Sequence, residues 1–124
     1  TAYLHGAHSR ISPVHRDALA DASDDDTALT NVFTGRPARG IVNRVMRELG
    51  PMSALAPAFP LSGGALVPLR AASEPQGSGD FMSLWAGQSV ALDRARQTGA
   101  DAGALTRRLC DEALARLAAF ASAG

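Results

Sequence analysis

Residues 27–43, TALTNVFTGRPARGIVN, decide the fold of this chain, because three different local patterns follow one another there. β-Branched and aromatic residues predict a short strand over 27–33. The stretch 34–40 is rich in glycine, arginine and proline, and it predicts a turn. A helix is predicted from about residue 40 to 49, because apolar side chains recur at helical spacing at Ile41, Val45 and Leu49.

The residues before this segment predict a helix from about 13 to 22. Ser12 is a favoured N-cap, and Pro13 suits the first helical position. The acidic run 24–26 then indicates a solvated turn. A calcium or magnesium loop is disfavoured there, because such loops need alternating ligands and a glycine turn.

The residues after this segment begin with Gly50 and Pro51, a pair that ends the second helix. Beyond them we predict an irregular connection over 51–64, a short helix over 65–73 with Pro68 in its first turn, and a flexible loop over 74–79. A turn led by Asp80 should then precede a helical stretch to about Arg96. A final helix is predicted from about 102 to 121, with a stripe that must cover an apolar surface, formed by Leu105, Leu109, Ala113, Leu117 and Phe120.

The mixture of strands and helices indicates an α/β protein in which this chain is mostly helical. Residues 1–4, Thr-Ala-Tyr-Leu, are typical of a buried strand entered midway. Together with 27–33 they provide two β segments, whereas an independent sheet needs roughly three strands. We therefore expect these residues to belong to a larger α/β protein.

The composition excludes several classes of function. The 124 residues carry twelve basic and twelve acidic side chains, and all the basic ones are arginine. They form no basic face, so a nucleic-acid partner is not expected. A single cysteine makes no internal disulfide, and no segment approaches the roughly 18 apolar residues of a membrane span. We expect a cytoplasmic protein without a membrane partner.

Few residues carry recognisable chemistry. The histidines are His5, His8 and His15, and no nearby cysteine or carboxylate completes a metal set. We predict that they are surface or loop residues, and we assign no metal site and no catalytic residue. Cys110 lies beside the apolar stripe of the final helix and has no histidine neighbour, so we predict a buried structural thiol.

Two segments are unusual for a plain scaffold. Arg36 and Arg39 at the predicted turn could bind an anion, or they could pair with carboxylates while glycine and proline set the turn. The segment 81–88, FMSLWAGQ, contains the only tryptophan. Gly87 permits a close backbone approach to a ligand, and the Gln88 amide both donates and accepts hydrogen bonds.

The same segments carry a resemblance to a known family. Residues 33–41, with Asn43 after them, are similar to a stretch near the C-terminal end of nitronate monooxygenases, also called 2-nitropropane dioxygenases. Residues 80–88 resemble a second stretch of the same family. The family also has a Gly-Thr-x-Phe/Tyr-Leu run, and residues 1–4 resemble the four residues of that run that follow its glycine. The likeness keeps the same order over nearly the whole chain.

The resemblance implies a TIM-like (β/α)8 flavin barrel with a small α+β lid. Residues 1–23 would be the last barrel strand end and its helix, 24–79 a lid segment, and 80–124 the return to the active site with the C-terminal helix. The implied reaction is the oxidation of alkyl nitronates by O2 to a carbonyl compound and nitrite. The implied partners are the upstream barrel and, in a homo-oligomer, a second copy of the chain.

The resemblance also implies site residues. Thr1 matches the threonine that contacts the phosphate of FMN, although the preceding glycine has no match here. Gly87 and Gln88 fall in a loop that returns toward the flavin, and Trp85 borders the substrate pocket. The catalytic histidine of the family lies upstream of the matched part.

Two other functions stay open on the sequence. A flavin-dependent enoyl reductase shares the barrel and a Gly-Gln segment, and nicotinamide use would separate it from a nitronate monooxygenase. A non-catalytic helical module would bind a partner through its apolar stripes, would fold alone and would carry no flavin. It would explain the capped helices but not the paired motifs.

Overall fold

The computed structural model describes residues 2–92 and 101–122. Helices and a small sheet follow one another along the chain, and the described part is partly helical. The elements are α1 (Pro13–Asp21), β1 (Thr27–Thr30), β2 (Ala38–Ile41), α2 (Arg44–Leu49), α3 (Ser62–Ser73) and α4 (Ala102–Ser122), with 3-10 turns at Ala2–His5, Asp24–Asp26 and Glu74–Gln76. None of the described helices is long and apolar enough to cross a membrane.

The sheet is an antiparallel hairpin in which Thr27 lies opposite Ile41 and Thr30 opposite Ala38. The strand predicted over 27–33 is confirmed at its start, but it ends at Thr30. There the Thr30 hydroxyl accepts the Val32 N–H at 3.2 Å, and the Asn31 carbonyl accepts the Gly35 N–H at 2.8 Å. These bonds turn the chain before Phe33.

The turn predicted through residue 40 is wrong from Ala38 onward, because β2 occupies that part. β2 lies between β1 and residues 84–86. Its Ile41 N–H donates to the Leu84 carbonyl at 2.8 Å, and its Arg39 carbonyl accepts from Ala86 at 3.3 Å. Both bonds join positions far apart in the sequence, which is why the local composition misses this strand.

Gly35 lets the hairpin turn pass close to another part of the backbone. Its φ angle is +81°, and an added Cβ would lie 2.4 Å from the Phe59 nitrogen and 2.5 Å from the Pro57 oxygen. Only glycine has both the conformational freedom and the small volume that this contact requires.

Helix α2 begins at Arg44 rather than near residue 40. Asn43 is its N-cap, and the Oδ1 atom of this residue accepts the Met46 N–H at 3.4 Å. The prediction that Gly50 ends the helix is confirmed, since it is the C-cap with a φ of +83°.

Helices α1 and α3 differ in how well local signals predict them. α1 starts at Pro13, and the Ser12 hydroxyl accepts the His15 N–H at 3.3 Å, as expected of its N-cap. α3 starts at Ser62, three residues earlier than predicted, so Pro68 lies inside the helix and not in its first turn. The Ser62 hydroxyl is buried and donates to the Val32 carbonyl, a tertiary bond that fixes this early start.

The N-terminal strand prediction is wrong for the described residues, because Ala2–His5 form a 3-10 turn. In the part of the chain that the structure describes, no strand lies beside this segment to pair with it. Thr1 lies outside the described residues, as does the end of the helical stretch predicted to reach Arg96.

Two hydrophobic clusters form the core. The first packs α1 against β2 and the segment after residue 81, and its buried members are Leu19, Ala22, Ile41, Met82, Leu84, Ala86 and Val90. The second joins the hairpin turn to α2, with buried members Val32, Phe33, Val45 and Met46. Trp85 is half-buried against the second cluster, so residues 82–90 connect both halves of the core.

Helix α4 is almost entirely exposed in the described structure. Leu105 is its one buried residue among those described, whereas Leu117 is 65% and Phe120 80% exposed. Asp101 caps the helix through a 2.8 Å bond from the Ala104 N–H. The predicted burial of Cys110 is wrong: this thiol is exposed, because the apolar stripe is covered only near its first turn.

Candidate functional site

Residues 85–91 form the loop that brings the predicted site residues together. At its start, Trp85 bridges to Gly40 of β2 in an antiparallel arrangement. An added Cβ at Gly40 would lie 3.0 Å from the Leu84 oxygen and 3.3 Å from the Trp85 ring. The glycine therefore permits the close approach that ties the loop to the hairpin.

His15 holds the same point of the loop from the opposite element. Its ring is buried on α1, and Nε2 lies 3.0 Å from the Trp85 carbonyl. Because a carbonyl only accepts, Nε2 is the donor. The expectation of a surface histidine is wrong here, since His15 faces the core with Leu19 one turn later; His8 is exposed as expected.

The electrostatic setting of His15 favours the neutral ring. Burial lowers the pKa of His15 below its ordinary value of 6.5, and the nearby Arg70 lowers it further. The hydrogen bond to Trp85 acts in the opposite direction but is a smaller effect. At neutral pH the ring is therefore an uncharged donor to the loop.

The far end of the loop is held by the acidic run. An Asp24 carboxylate oxygen, Oδ1, accepts the Ala91 N–H at 3.2 Å. The Asp24 turn is itself fixed, because Asp26 Oδ2 accepts from both the backbone N–H and the hydroxyl of Ser23 at 2.7 Å. Within residues 2–92 and 101–122, no group of three or more histidine, cysteine or acidic side chains is placed to hold a metal ion.

Gly87 and Gln88 are exposed between these two anchors. Trp85 is half-buried, and its ring meets Phe33 edge-on with 5.6 Å between centroids. The structure thus brings Trp85, Gly87 and Gln88 into one loop, but Thr1 lies outside the described residues. The anchored ends with an exposed middle leave Gly87 and Gln88 accessible to a ligand.

The two arginines of the hairpin have structural partners. The Arg36 guanidinium lies over the Phe59 ring, 4.2 Å from its centroid. Arg39 donates at 3.2 Å to both the carbonyl and the hydroxyl of Thr27. These contacts favour the structural alternative for the turn, although the partners are a ring and threonine oxygens rather than carboxylates.

Two residues of this region make tertiary contacts that the sequence pattern alone does not predict. His15 stands four and seven residues before the buried Leu19 and Ala22, a spacing that could have placed it on the core face of α1. Asn43 is buried, and its amide donates at 2.8 Å to the carbonyls of both Gly79 and Met82. Its position before a helical pattern is a signal for an N-cap, but not for those two distant bonds.

Comparison with known proteins gives the family. The family model described as nitronate monooxygenase matches residues 1–111. The chain belongs to the nitronate monooxygenase family. The resemblance inferred from the two motifs is therefore confirmed.

Two curated relatives agree with this family. The probable nitronate monooxygenase of Bacillus subtilis (strain 168) is 36% identical over 90 residues, which are 73% of this chain and 26% of the relative. That of Staphylococcus saprophyticus is 33% identical over 92 residues, which are 74% of this chain and 26% of the relative. The chain thus spans about a quarter of the length of these relatives.

A solved structure is similar as well. It is described as nitroalkane oxidase from Streptomyces ansochromogenes, and it superposes with a TM-score of 0.60 at 36% sequence identity. The superposition covers 77% of this chain and 32% of that one. The likeness in both sequence and structure supports one common arrangement of the matched part.

Proposed function

We propose that this chain is the C-terminal part of an FMN-dependent nitronate monooxygenase, which oxidises alkyl nitronates with O2 to a carbonyl compound and nitrite. The match to the family model over residues 1–111 carries the proposal. The upstream part would supply the rest of a TIM-like barrel and the catalytic histidine. The division into 1–23, 24–79 and 80–124, and association into homo-oligomers, belong to the same proposal.

The chemistry of the exposed loop supports the assignment of a flavin. The flavin ring edge presents both donors and acceptors, and the exposed Gln88 amide offers both in return. Gly87 has no side chain to obstruct a planar ring, and Trp85 adds an aromatic border. FMN, when bound, supplies the electron-accepting ring for the oxidation. Thr1 would contact its phosphate with a hydroxyl.

The full-length product of the gene that encodes this chain tests the proposal. We expect the purified protein to carry the yellow absorbance of a flavin, and to release nitrite while consuming oxygen when propyl-2-nitronate is added. A protein with neither flavin nor nitrite release would contradict the proposal. Consumption of a nicotinamide with an enoyl thioester would support the enoyl reductase alternative instead.

Residues 1–124 expressed alone give a second test. Most cofactor contacts and the catalytic base should lie upstream, so we expect this segment to bind FMN poorly and to lack nitronate oxidation. The measurement is the flavin absorbance that remains after purification. Clear yellow colour in the isolated segment would contradict this distribution of the site.

The variant Gln88→Ala tests the loop itself in the full-length protein. Loss of one flavin hydrogen bond should raise the Kd for FMN by about 2- to 13-fold. Gln76→Ala is a matched control, since Gln76 is also exposed and its amide donates to the Ala72 carbonyl at 3.0 Å. Titration of FMN fluorescence measures both variants. Equal Kd values for Gln88→Ala, Gln76→Ala and the parent would remove Gln88 from the site.

A further inference from the structure

We propose that His15 and Asp24 are positioning residues that clamp the two ends of residues 86–90 and hold Gly87 and Gln88 in place for the flavin. The clamp is a property of the described chain, whereas its purpose rests on the proposed function. Neither residue is expected to touch the cofactor. Each acts through one backbone group of the loop, on either side of the exposed pair.

The His15 end of the clamp is rigid because α1 is rigid. Ser12 caps the helix, and Leu19 on the same face is fully buried in the first core cluster. From this support the ring reaches the Trp85 carbonyl at 3.0 Å. On the other side, Ala86 donates to Arg39 of β2 at 3.3 Å, so the loop entrance is held from two elements.

The buried setting makes the His15 bond costly to lose. An apolar residue at this position of α1 would fill the space equally well, but it would leave the Trp85 carbonyl without the imidazole donor. The Trp85 carbonyl is partly buried, so losing its donor leaves it with part of its desolvation penalty uncompensated. The loop would then be driven to shift until that carbonyl found another partner.

The Asp24 end of the clamp is held by the turn before β1. The capping box between Ser23 and Asp26 fixes the backbone of the turn, and the Asp24 carbonyl accepts from the Thr27 hydroxyl at 3.2 Å. The Asp24 carboxylate is then free to point at the loop, where it accepts the Ala91 N–H. Hydrogen bonds to an ionised acceptor are stronger than neutral ones.

Five residues between two fixed points have little conformational freedom. Binding costs less when the contacting segment is already ordered, because its ordering entropy is not paid again. The clamp should therefore raise FMN affinity without adding a contact to FMN. Losing either anchor should loosen the loop first, and weaken FMN binding as a consequence.

Amide hydrogen exchange on the full-length protein tests the clamp without any need for activity. Peptides covering 86–92 are followed by mass spectrometry with the flavin removed. His15→Phe, which keeps a ring but no donor, should speed exchange in this segment by about 2- to 13-fold. His15→Gln, whose amide can donate, should restore much of the protection. His8→Gln is the matched control at an exposed histidine.

A second pair of variants examines the other anchor. Asp24→Ala should speed exchange at the Ala91 end, whereas Asp24→Asn keeps an acceptor and should lie closer to the parent. Asp25→Ala is the control at the neighbouring exposed carboxylate. This pair keeps the test decisive if His15→Phe does not fold.

The two possible failures are distinguishable. Unchanged exchange over 86–92 in both His15→Phe and Asp24→Ala, with far-UV circular dichroism intact, overturns the clamp. Faster exchange with the Kd for FMN unaltered overturns its role in positioning. A full-length protein that binds no FMN at all overturns the proposed function, and the exchange data still decide whether the loop is clamped. Faster exchange together with an FMN Kd raised about 2- to 13-fold, and rescue by His15→Gln, supports the whole inference.

Discussion

Helices α1 and α4 have opposite relations to the rest of the chain. α1 has nine residues, and it is fixed by a serine cap and by the burial of His15 and Leu19. α4 has 21 residues, of which Leu105 is buried among those described. A helix as short as α1 needs packing, whereas a long helix rich in alanine, leucine and arginine draws more on intrinsic propensity.

The same contrast separates the part of the chain that the family shares from the part beyond it. The family match ends at residue 111, within α4. The most exposed apolar side chains of α4 lie after that point, and they are Leu114, Leu117 and Phe120. The two core clusters therefore lie in the part that relatives have in common, and this part also contains the candidate loop. We call the region of the two clusters the packed centre.

Truncation of one leucine in each region is the strongest test of this contrast. Leu19→Ala should lower the free energy of unfolding by about 3–5 kcal/mol, because it leaves a cavity in the first core cluster. Leu117→Ala, at a residue 65% exposed, should change it by no more than about 0.5 kcal/mol. Denaturant unfolding of the full-length protein measures both. Similar losses would mean that α4 is covered in solution.

Two glycines with similar positive φ angles distinguish the energetic cost of crowding from that of the left-handed conformation. Gly77→Ala, at a φ of +77° with open space around it, should cost about 1–2 kcal/mol for the left-handed conformation alone. Gly35→Ala meets backbone atoms as close as 2.4 Å, so conformation and overpacking together should cost about 3 kcal/mol. Thermal unfolding compares the two variants. Equal costs would contradict the tight contact between the hairpin turn and Phe59.

Variants of Asn43 test how much of the stability of the packed centre depends on one polar side chain. Asn43→Ala removes a helix cap and the side-chain amide that donates to the Gly79 and Met82 carbonyls, and it should cost about 2 kcal/mol. Asn43→Ser keeps a cap acceptor without those donors, so it should recover about 1 kcal/mol of that loss. Denaturant unfolding measures the difference. Full recovery by serine would mean that the bonds to Gly79 and Met82 contribute nothing.

Sequence reasoning succeeded where the determinants are local. A serine cap and a first-turn proline mark the start of α1, so the sequence predicts it over 13–22, and the helix spans Pro13–Asp21. α4 was predicted over 102–121 and spans Ala102–Ser122, because its apolar residues keep helical spacing throughout. Gly50 marks a helix end by an equally local signal, a glycine followed by a proline.

Sequence reasoning failed where partners are distant along the chain. β2 looks like a turn by composition, and its strand conformation depends on pairing with residues 84–86. The site shows the same division. The motif around Trp85, Gly87 and Gln88 was visible in the sequence, whereas the anchors on His15 and Asp24 are contacts across about 70 residues. Their assignment to FMN stays a prediction.

The smallest expected effect is a pH dependence that originates in the packed centre alone. Since the pKa of His15 is lowered by burial, the folded state binds a proton less readily than the unfolded chain. The stability from the neutral ring is therefore complete above 6.5, and it is lost as the pH falls from there through the lowered pKa. Asp101 at the start of α4 has its pKa lowered by the Ala104 N–H, so its charge is lost only below its ordinary value of 3.8.

Unfolding free energies measured from about pH 7.5 to 5.5 distinguish the two regions. The unfolding free energy of the parent protein should decrease as the pH is lowered over this range. In His15→Gln this decrease should be smaller, because an amide does not titrate. His8→Gln should retain the slope of the parent. An unchanged slope in His15→Gln would mean that the ring is solvated in the folded state, and the packed centre would then lack the buried histidine that distinguishes α1 from α4.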